Sequence, residues 1–384
     1  MRRKLEIGFF TDTYTPQING VVTSIQIFQQ ELEKLGHNVY IFAPTPKLKD
    51  DSINIFRIVS IPFIFQPELR LAAPYSWHID QRIKQLKLDI IHAHTPFSLG
   101  FFGKYVAENK NIPFIQTFHT LYPEYLHYIL GPIGKNQLAK FGAKKLVRFL
   151  YNRSDLVIAP SKKIKDYLTD CGIKKPIEVI STGIDLDKFH NINNKIFRQK
   201  YSLDLEDKFL IYIGRLGKEK NLEFLLQVIK LIKNKRVKLL IIGDGPEKEN
   251  LIKKAQQLKI NQRIIFLGYL SRKIIPYALQ ASDIFVFTSK TETQGLVLLE
   301  AEASKKPIIA LNDAVIEEFV QNNYNGFITK PDIHQFAQKI DYLFNNPKIY
   351  QKFANNSYKI AKRYSASKQA KKLIKVYKKL IAQS

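Results

Sequence analysis

Glu292 and Glu300 bracket the segment Glu292-Thr-Gln-Gly295-Leu-Val-Leu-Leu-Glu300, two acids spaced E-x7-E where the chain turns from polar to apolar. Upstream, Asp283-Ile-Phe-Val-Phe-Thr-Ser289 has the β-branched and aromatic content of a buried strand. Lys290 to Gln294 is polar, and Gly295 opens an apolar helical run ending near Lys305-Lys306-Pro307. Glu292 therefore falls in a loop and Glu300 on a helix. A helical side chain leans toward its own N-terminus, so the Glu300 carboxylate can meet a ligand whose phosphates sit on the N–H groups around Gly295 and Leu296. A carboxylate accepts hydrogen bonds from paired hydroxyls, as on a ribose. Glu292 is then free to receive hydroxyls of a sugar beyond the phosphates, which describes a ligand of three parts: nucleoside, diphosphate and sugar. The same spacing also fits an acid that favours a helix N-terminus beside a merely solvated one.

Other loops offer partners for such a ligand. Arg215 and Lys220 flank the glycine-bearing loop Gly214-Arg-Leu-Gly217-Lys-Glu-Lys220 ahead of a helix starting near Asn221, where cations and N–H groups can neutralise a diphosphate leaving group. Each is otherwise an ordinary surface cation of a basic protein. Gly243-Asp-Gly-Pro246 reads as a tight turn after a strand. His119 follows the strand-like Phe114-Ile-Gln-Thr-Phe118; there it either meets a sugar hydroxyl or satisfies a backbone carbonyl. His92 and His94 alternate at the end of a strand and are expected on opposite faces, which argues against a shared metal. With no Cys/His cluster and no acidic pair at a strand end, no side-chain-held metal is expected.

These loops need strands and helices to carry them. Short apolar runs alternate with helical patterns throughout, the signature of parallel sheets covered by helices. Strands are expected at 6–10, 39–43, 89–92, 114–117, 156–159 and 178–180, then, after the polar segment 191–195, at 209–213, 238–242, 263–267, 284–287 and 307–310. The fold class is α/β: two Rossmann-like parallel-sheet domains facing across a cleft, with ligand loops at the carboxyl ends of the strands. The expected domains are 1–190, 191–362 and a C-terminal basic helix, 363–384, crossing back to the first.

At 384 residues two domains are the default, and the single cysteine, Cys171, excludes an internal disulfide framework and suits a reducing compartment such as cytosol. The basic start Met1-Arg-Arg-Lys4 precedes an apolar run interrupted by Glu6, too short for a signal peptide and readable as a first strand. No stretch approaches the ~18 apolar residues of a bilayer span, so membrane contact must be peripheral. The net charge of +26, from 60 Lys+Arg against 34 Asp+Glu, points to nucleic acid, to an anionic lipid surface, or to a bias toward Lys on solvated faces.

Two segments suit a charged surface. Wound as a helix, 134–151 puts Leu138, Gly142, Leu146, Phe149 and Leu150 on one stripe and Lys140, Lys144, Lys145 and Arg148 mostly opposite, with Phe141 inside the basic face. The stretch 367–381 separates Ala370, Leu373, Ile374, Tyr377, Leu380 and Ile381 from five lysines, as a docked surface helix does. The aromatic segment 61–77 either touches lipid or lines an acceptor groove.

Together these motifs resemble glycosyltransferase family 4, retaining enzymes of the GT-B fold. The resemblance runs through Asn19-Gly-Val-Val-Thr-Ser24, His94-Thr-Pro-Phe-Ser-Leu-Gly100, Ala159-Pro-Ser161, Thr182-Gly-Ile-Asp185, Gly214-Arg215, Gly243-Asp-Gly-Pro246 and the E-x7-E loop. Within the family, Thr117-Phe-His-Thr-Leu-Tyr-Pro-Glu-Tyr125 and Lys290-Thr-Glu-Thr-Gln-Gly295 look most like the diacylglycerol glucosyltransferases. The resemblance implies that Arg215 and Lys220 bind the diphosphate, Glu300 the ribose, Glu292 and the N–H groups to Leu296 the hexose, and Gly20 a phosphate. It implies that His119 contacts the sugar near the reacting carbon. The implied reaction carries an α-hexosyl unit from UDP-glucose, or else UDP-galactose, to 1,2-diacylglycerol, with no cofactor and no protein nucleophile. Another acceptor, such as phosphatidylinositol, a sugar phosphate or a protein, remains the neighbouring reading; a nucleic-acid-binding protein is the reading from a different class. The expected setting is the inner face of the cell membrane, held by Lys140, Phe141, Lys144, Lys145 and Arg148. Many family members carry paired glycines where this chain has Asn19-Gly20, and Glu302 adds an acid expected to face away from the ligand.

Overall fold

The computed structural model describes residues 3–17, 19–45, 54–63, 66–73, 77–121, 137–190, 192–289 and 292–384. The chain forms two compact units, Met1–Gly183 with Ala366–Ser384, and Ile184–Ser365. In the first unit β1 (Glu6–Phe10), β2 (Asn38–Pro44) and β3 (Ile55–Ile58) are followed by a hairpin, β4 (Ser60–Phe63) and β5 (Gln66–Ala72). Then come β6 (Ile90–Ala93), β7 (Phe114–Thr117), β8 (Leu156–Ala159) and β9 (Ile177–Val179). Seven of them make a parallel sheet in the order β3-β2-β1-β6-β7-β8-β9. The second unit holds β10 (Lys208–Ile213), β11 (Val237–Ile242), β12 (Ile264–Gly268), β13 (Ile284–Phe287), β14 (Ile308–Leu311) and β15 (Gly326–Thr329). These form a parallel sheet in the order β12-β11-β10-β13-β14-β15.

Central strands such as β6, β7, β8, β13 and β14 are buried at every position. Helices cover both faces of such a sheet, so an unbroken apolar run is what it needs. Alternation then assigns each residue to a face. Ile7 and Phe9 of β1 pack into the cluster containing Val22, Ile25, Phe28 and Leu32. Phe10 points the other way and stacks on Phe42, ring centroids 4.4 Å apart.

The C-terminal helix Ala366–Ile381 belongs to the first unit, and Ala370, Leu373, Ile374 and Tyr377 enter the same cluster as Val22 and Phe28. Its Lys371, Lys372, Lys375, Lys378 and Lys379 are exposed. The sequence-based strands coincide with sheet strands to within a residue or two, but β3, the β4–β5 hairpin and β15 were missed. Each of β3, β4 and β15 has only four residues, too few to show a period. The aromatic segment 61–77 contains β4 and β5, which pair antiparallel outside the large sheet.

Leu373→Ala is expected to lower unfolding free energy by about 2–5 kcal/mol, because the side chain is fully buried and its loss leaves a cavity. Denaturant titration measures it; a loss below about 0.5 kcal/mol would mean that the C-terminal helix is not part of the core.

Candidate functional site

In an open parallel sheet, ligand loops gather where the strand order reverses. In the second unit that point lies between β10 and β13, since the chain builds outward to β12 on one side and to β15 on the other. Lys220 ends the short 3-10 turn Lys218–Lys220 that follows β10, and Glu292 follows β13. Lys220 Nζ donates to Glu292 Oε1 at 2.5 Å and to Ser289 Oγ at 3.3 Å, while the Lys220 carbonyl accepts from Thr288 Oγ1 at 2.9 Å. Both side chains of the ion pair are mostly buried, so solvent screens them weakly. Arg215 is exposed at the end of β10, and its carbonyl accepts from Tyr212 Oη. Burial first, then the charges of Glu292 and Glu219, push the Tyr212 hydroxyl well above its ordinary range, so it stays a neutral donor.

The loops around this point lock backbone to backbone. Leu216 N–H donates to the Asp244 carbonyl and Glu247 N–H to the Leu216 carbonyl. At Gly243, φ is +135° and a Cβ would stand 1.9 Å from the Gly214 carbonyl oxygen. Gly243-Asp-Gly-Pro246 is thus the buttress that sets the height of the Arg215 loop.

Gly295 adopts φ +67° as it opens the helix Leu296–Ala303, and no side chain caps that helix end. Its first N–H groups are left to water or to an anion. Glu300, on this helix, is buried and pairs with Arg272 Nη2 at 3.2 Å. Burial raises the Glu300 carboxyl and Arg272 pulls it back down. Glu302 lies elsewhere, accepting from Asn325 Nδ2 at 3.1 Å in the interior, and burial raises its carboxyl strongly. Arg272 was missed by sequence reasoning; its only signal was its place in the loop after β12. Lys220 and Glu292 are in direct contact, whereas Glu300 is held by Arg272.

In the first unit the order reverses between β1 and β6. Asp12, after β1, accepts from Thr95 Oγ1 (2.6 Å), Ser98 Oγ (2.6 Å) and Leu99 N (2.9 Å), tying the turn after β6 to the helix Ser98–Lys110. His119, after β7, has Nε2 3.2 Å from His94 Nδ1. His92 Nδ1 meets Tyr377 Oη at 2.7 Å and His92 Nε2 meets Thr117 Oγ1 at 2.6 Å. The expected opposition of His92 and His94 is wrong: their rings stack with centroids 4.2 Å apart. The strand stops at Ala93, so alternation no longer governs residue 94. Burial lowers all three imidazoles, His92 to about 3, His119 to about 4 and His94 well below its usual value. Gly20 opens the helix Gly20–Lys34, is exposed, and follows Asn19, whose side chain accepts from Val22 N.

On the helix Gln137–Tyr151 the core-facing residues are Ala143, Val147, Leu150 and Tyr151. Of the expected apolar stripe, Leu146 and Phe149 are instead exposed, as is Phe141. The stripe was drawn one position too far round the helix. Lys145 Nζ lies 4.6 Å from the Phe141 ring, and the Arg153 guanidinium lies over both Phe149 (5.2 Å) and Phe101 (4.6 Å). Lys144 and Arg148 are exposed on the same helix; Lys140 is helical, with its side chain outside the described residues.

Residues 18–188 match the family described as Glycosyltransferase Family 4, and residues 193–360 match Glycosyl transferases group 1. The chain is 37% identical over 332 residues to an alpha-monoglucosyldiacylglycerol synthase of Streptococcus pneumoniae, covering 84% of this chain and 74% of that one. It is 32% identical over 396 residues to the alpha-monoglucosyldiacylglycerol synthase of Acholeplasma laidlawii, covering 98% of both. Its fold is similar to that of a Rickettsia africae glycosyltransferase (TM-score 0.80, 21% identity, 100% of both chains). It is similar also to Anabaena HepE in complex with UDP and glucose (TM-score 0.76, 20% identity, 98% of this chain and 100% of that one).

His92 stays neutral in the fold to about pH 3, whereas an unfolded histidine takes a proton below about pH 6.5. Its contribution to stability is therefore complete above that pH and is lost as the pH falls. The stability difference between wild type and His92→Gln is expected to shrink by about 1.4 kcal/mol per pH unit between pH 6 and 4.5. Denaturant titrations across that range check it, and a pH-independent difference contradicts it.

Proposed function

Since this chain belongs to glycosyltransferase family 4 and is a hexosyltransferase of the GT-B fold, we propose that it transfers an α-hexosyl unit from a UDP-sugar to 1,2-diacylglycerol. Glucose is the first donor to test and galactose the second. The acceptor assignment is supported by the two monoglucosyldiacylglycerol synthases, which this chain matches over most of its length. The donor assignment is carried by one observation: Lys220 and Glu292 paired at the reversal point of the second sheet, beside an uncapped helix that bears the buried Glu300.

In this reading the N–H groups from Gly295 and Leu296 and the cations Arg215 and Lys220 take the diphosphate. Glu300 accepts the ribose hydroxyls and Glu292 the hexose hydroxyls. Glu292 holds the Lys220 ammonium in place before the donor arrives, which reduces the ordering cost at binding. In the first unit, His119 donates to an oxygen of the hexose and the helix opened by Gly20 receives a phosphate. The acceptor hydroxyl attacks on the face the diphosphate leaves, its proton passes to a phosphate oxygen, and the α configuration is retained. Charge neutralisation by Arg215 and Lys220 does the work, so no side-chain-held metal and no cofactor enter the scheme.

Lys220→Ala and Glu300→Ala are each expected to lower turnover at least about a hundredfold, the scale of losing a placed electrostatic contact. The assay incubates UDP-glucose or UDP-galactose with diacylglycerol vesicles, beside phosphatidylinositol and sugar-phosphate acceptors, and identifies products by mass spectrometry and NMR. Near-normal rates in both variants would remove the donor site; product from another acceptor alone would replace diacylglycerol.

The enzyme works, in this reading, from the cytoplasmic surface of the cell membrane. Among the described residues no helix is long and apolar enough to cross a membrane. Exposed Phe141 and Phe149 stand beside Lys144, Lys145, Arg148 and Arg153, a surface suited to anionic headgroups with rings at the acyl boundary. Vesicle binding is expected to rise with anionic lipid and fall with salt. Phe141→Ala with Phe149→Ala is expected to weaken it by tenfold or more, since burying one such ring contributes about 1.5–3 kcal/mol. Salt-independent sedimentation with neutral vesicles would contradict this.

A further inference from the structure

The three imidazoles of the first unit form one continuous stack. His92 and His94 have ring centroids 4.2 Å apart, and His94 and His119 5.4 Å apart at an interplanar angle of 23°. His92 is locked at both ends, by the hydroxyl of Tyr377 from the C-terminal helix and by that of Thr117 from β7. The edge of the Phe9 ring closes the stack, its centroid 4.6 Å from that of His94. His94 has one hydrogen-bonding neighbour, His119 Nε2 at 3.2 Å from its Nδ1. Its other nitrogen, Nε2, is buried and has no hydrogen-bond partner among the described residues.

That orphaned atom decides where the protons lie. A buried N–H without an acceptor is rare and costly, whereas an unfilled lone pair is better tolerated. A proton on His94 Nε2 would be such an orphan. We propose that His94 is a positioning residue for His119: its Nδ1–H donates to His119 Nε2, which fixes the His119 proton on Nδ1. Burial keeps both rings neutral, so neither carries a second ring proton that would blur the assignment.

The chemical consequence is specific. An imidazole in solution divides its proton between two tautomers, but His119 presents Nδ1–H only. It is then a hydrogen-bond donor toward an oxygen lone pair, and it is not a base for the acceptor hydroxyl, because its basic nitrogen is already occupied by His94. The Tyr377–His92 contact extends the arrangement to the C-terminal helix, which holds the far end of the stack. The tautomer follows from the stack alone; its effect on rate rests on the reading that His119 meets the hexose.

The test uses the full chain labelled with 15N-histidine and reads each tautomer from long-range 1H–15N correlations, His119 being assigned by its loss in His119→Gln. The expected wild-type signal is protonated Nδ1 and bare Nε2 at His119. His94→Phe keeps the stacked ring but removes the donor, so His119 should relax to a mixture rich in Nε2–H. In that variant kcat should fall roughly tenfold or more, the scale of a misplaced catalytic contact, with KM for UDP-glucose within about threefold. His94→Asn, whose amide N–H can stand where Nδ1–H stood, should restore the Nδ1–H tautomer and most of the rate. Protonated Nε2 at His119 in the wild type overturns the proposal, as does an unchanged tautomer in His94→Phe. Normal kcat in His94→Phe overturns its catalytic part if His119→Gln is impaired. If His119→Gln itself turns over normally, the placement of His119 at the hexose falls, while the tautomer is still decided by the spectrum.

Discussion

Parallel strands all end on the same edge of a sheet, and a chain that builds outward in two directions must leave a gap in connectivity between its two starting strands. Both units are organised by that constraint. In the second, it brings the loops after β10 and β13 together, so that Lys220 and Glu292 form an ion pair across 72 positions of sequence. In the first, it joins the segments after β1 and β6, and Asp12 reaches Thr95, Ser98 and Leu99. The polar groups of each sheet are concentrated where strand order reverses, on top of strands that are otherwise apolar throughout.

The two edges handle polarity in opposite ways. The second unit uses charge, in two pairs, Lys220–Glu292 and Arg272–Glu300, each half able to exchange its partner for a ligand group. The first unit uses neutral rings and a carboxylate saturated by donors. Burial there costs a charged imidazole too much, so His92, His94 and His119 are held uncharged. A diphosphate calls for cations; a hexose calls for fixed hydrogen-bond directions. The division of labour proposed for the two units follows from those needs.

Packing beyond the sheets sets the precision of these loops. The Gly243 turn meets the Gly214 carbonyl so closely that no Cβ fits between them, and Tyr377 links the C-terminal helix to the histidine stack. On the helix Gln137–Tyr151, aromatic rings stay exposed and are flanked by cations. Such a surface gives a reason for part of the +26 charge, while the lysines of the C-terminal helix are the solvated side of a docked helix.

The α/β class, the parallel sheets and the docked C-terminal helix were determined by the sequence, because burial on both faces demands continuous apolar strands and amphipathic helices show their period locally. The E-x7-E element was legible for the same reason: strand, loop, positive-φ glycine and helix are consecutive. Short edge strands such as β3 and β15 carried too few residues to show a pattern. Tertiary structure alone decided which charges meet. Arg272 reaches Glu300 from another strand's loop, and His94 reaches His119 because β6 ends one residue before it. Those contacts depend on strand order and on where a strand stops, and neither leaves a local trace in the order of residues along the chain.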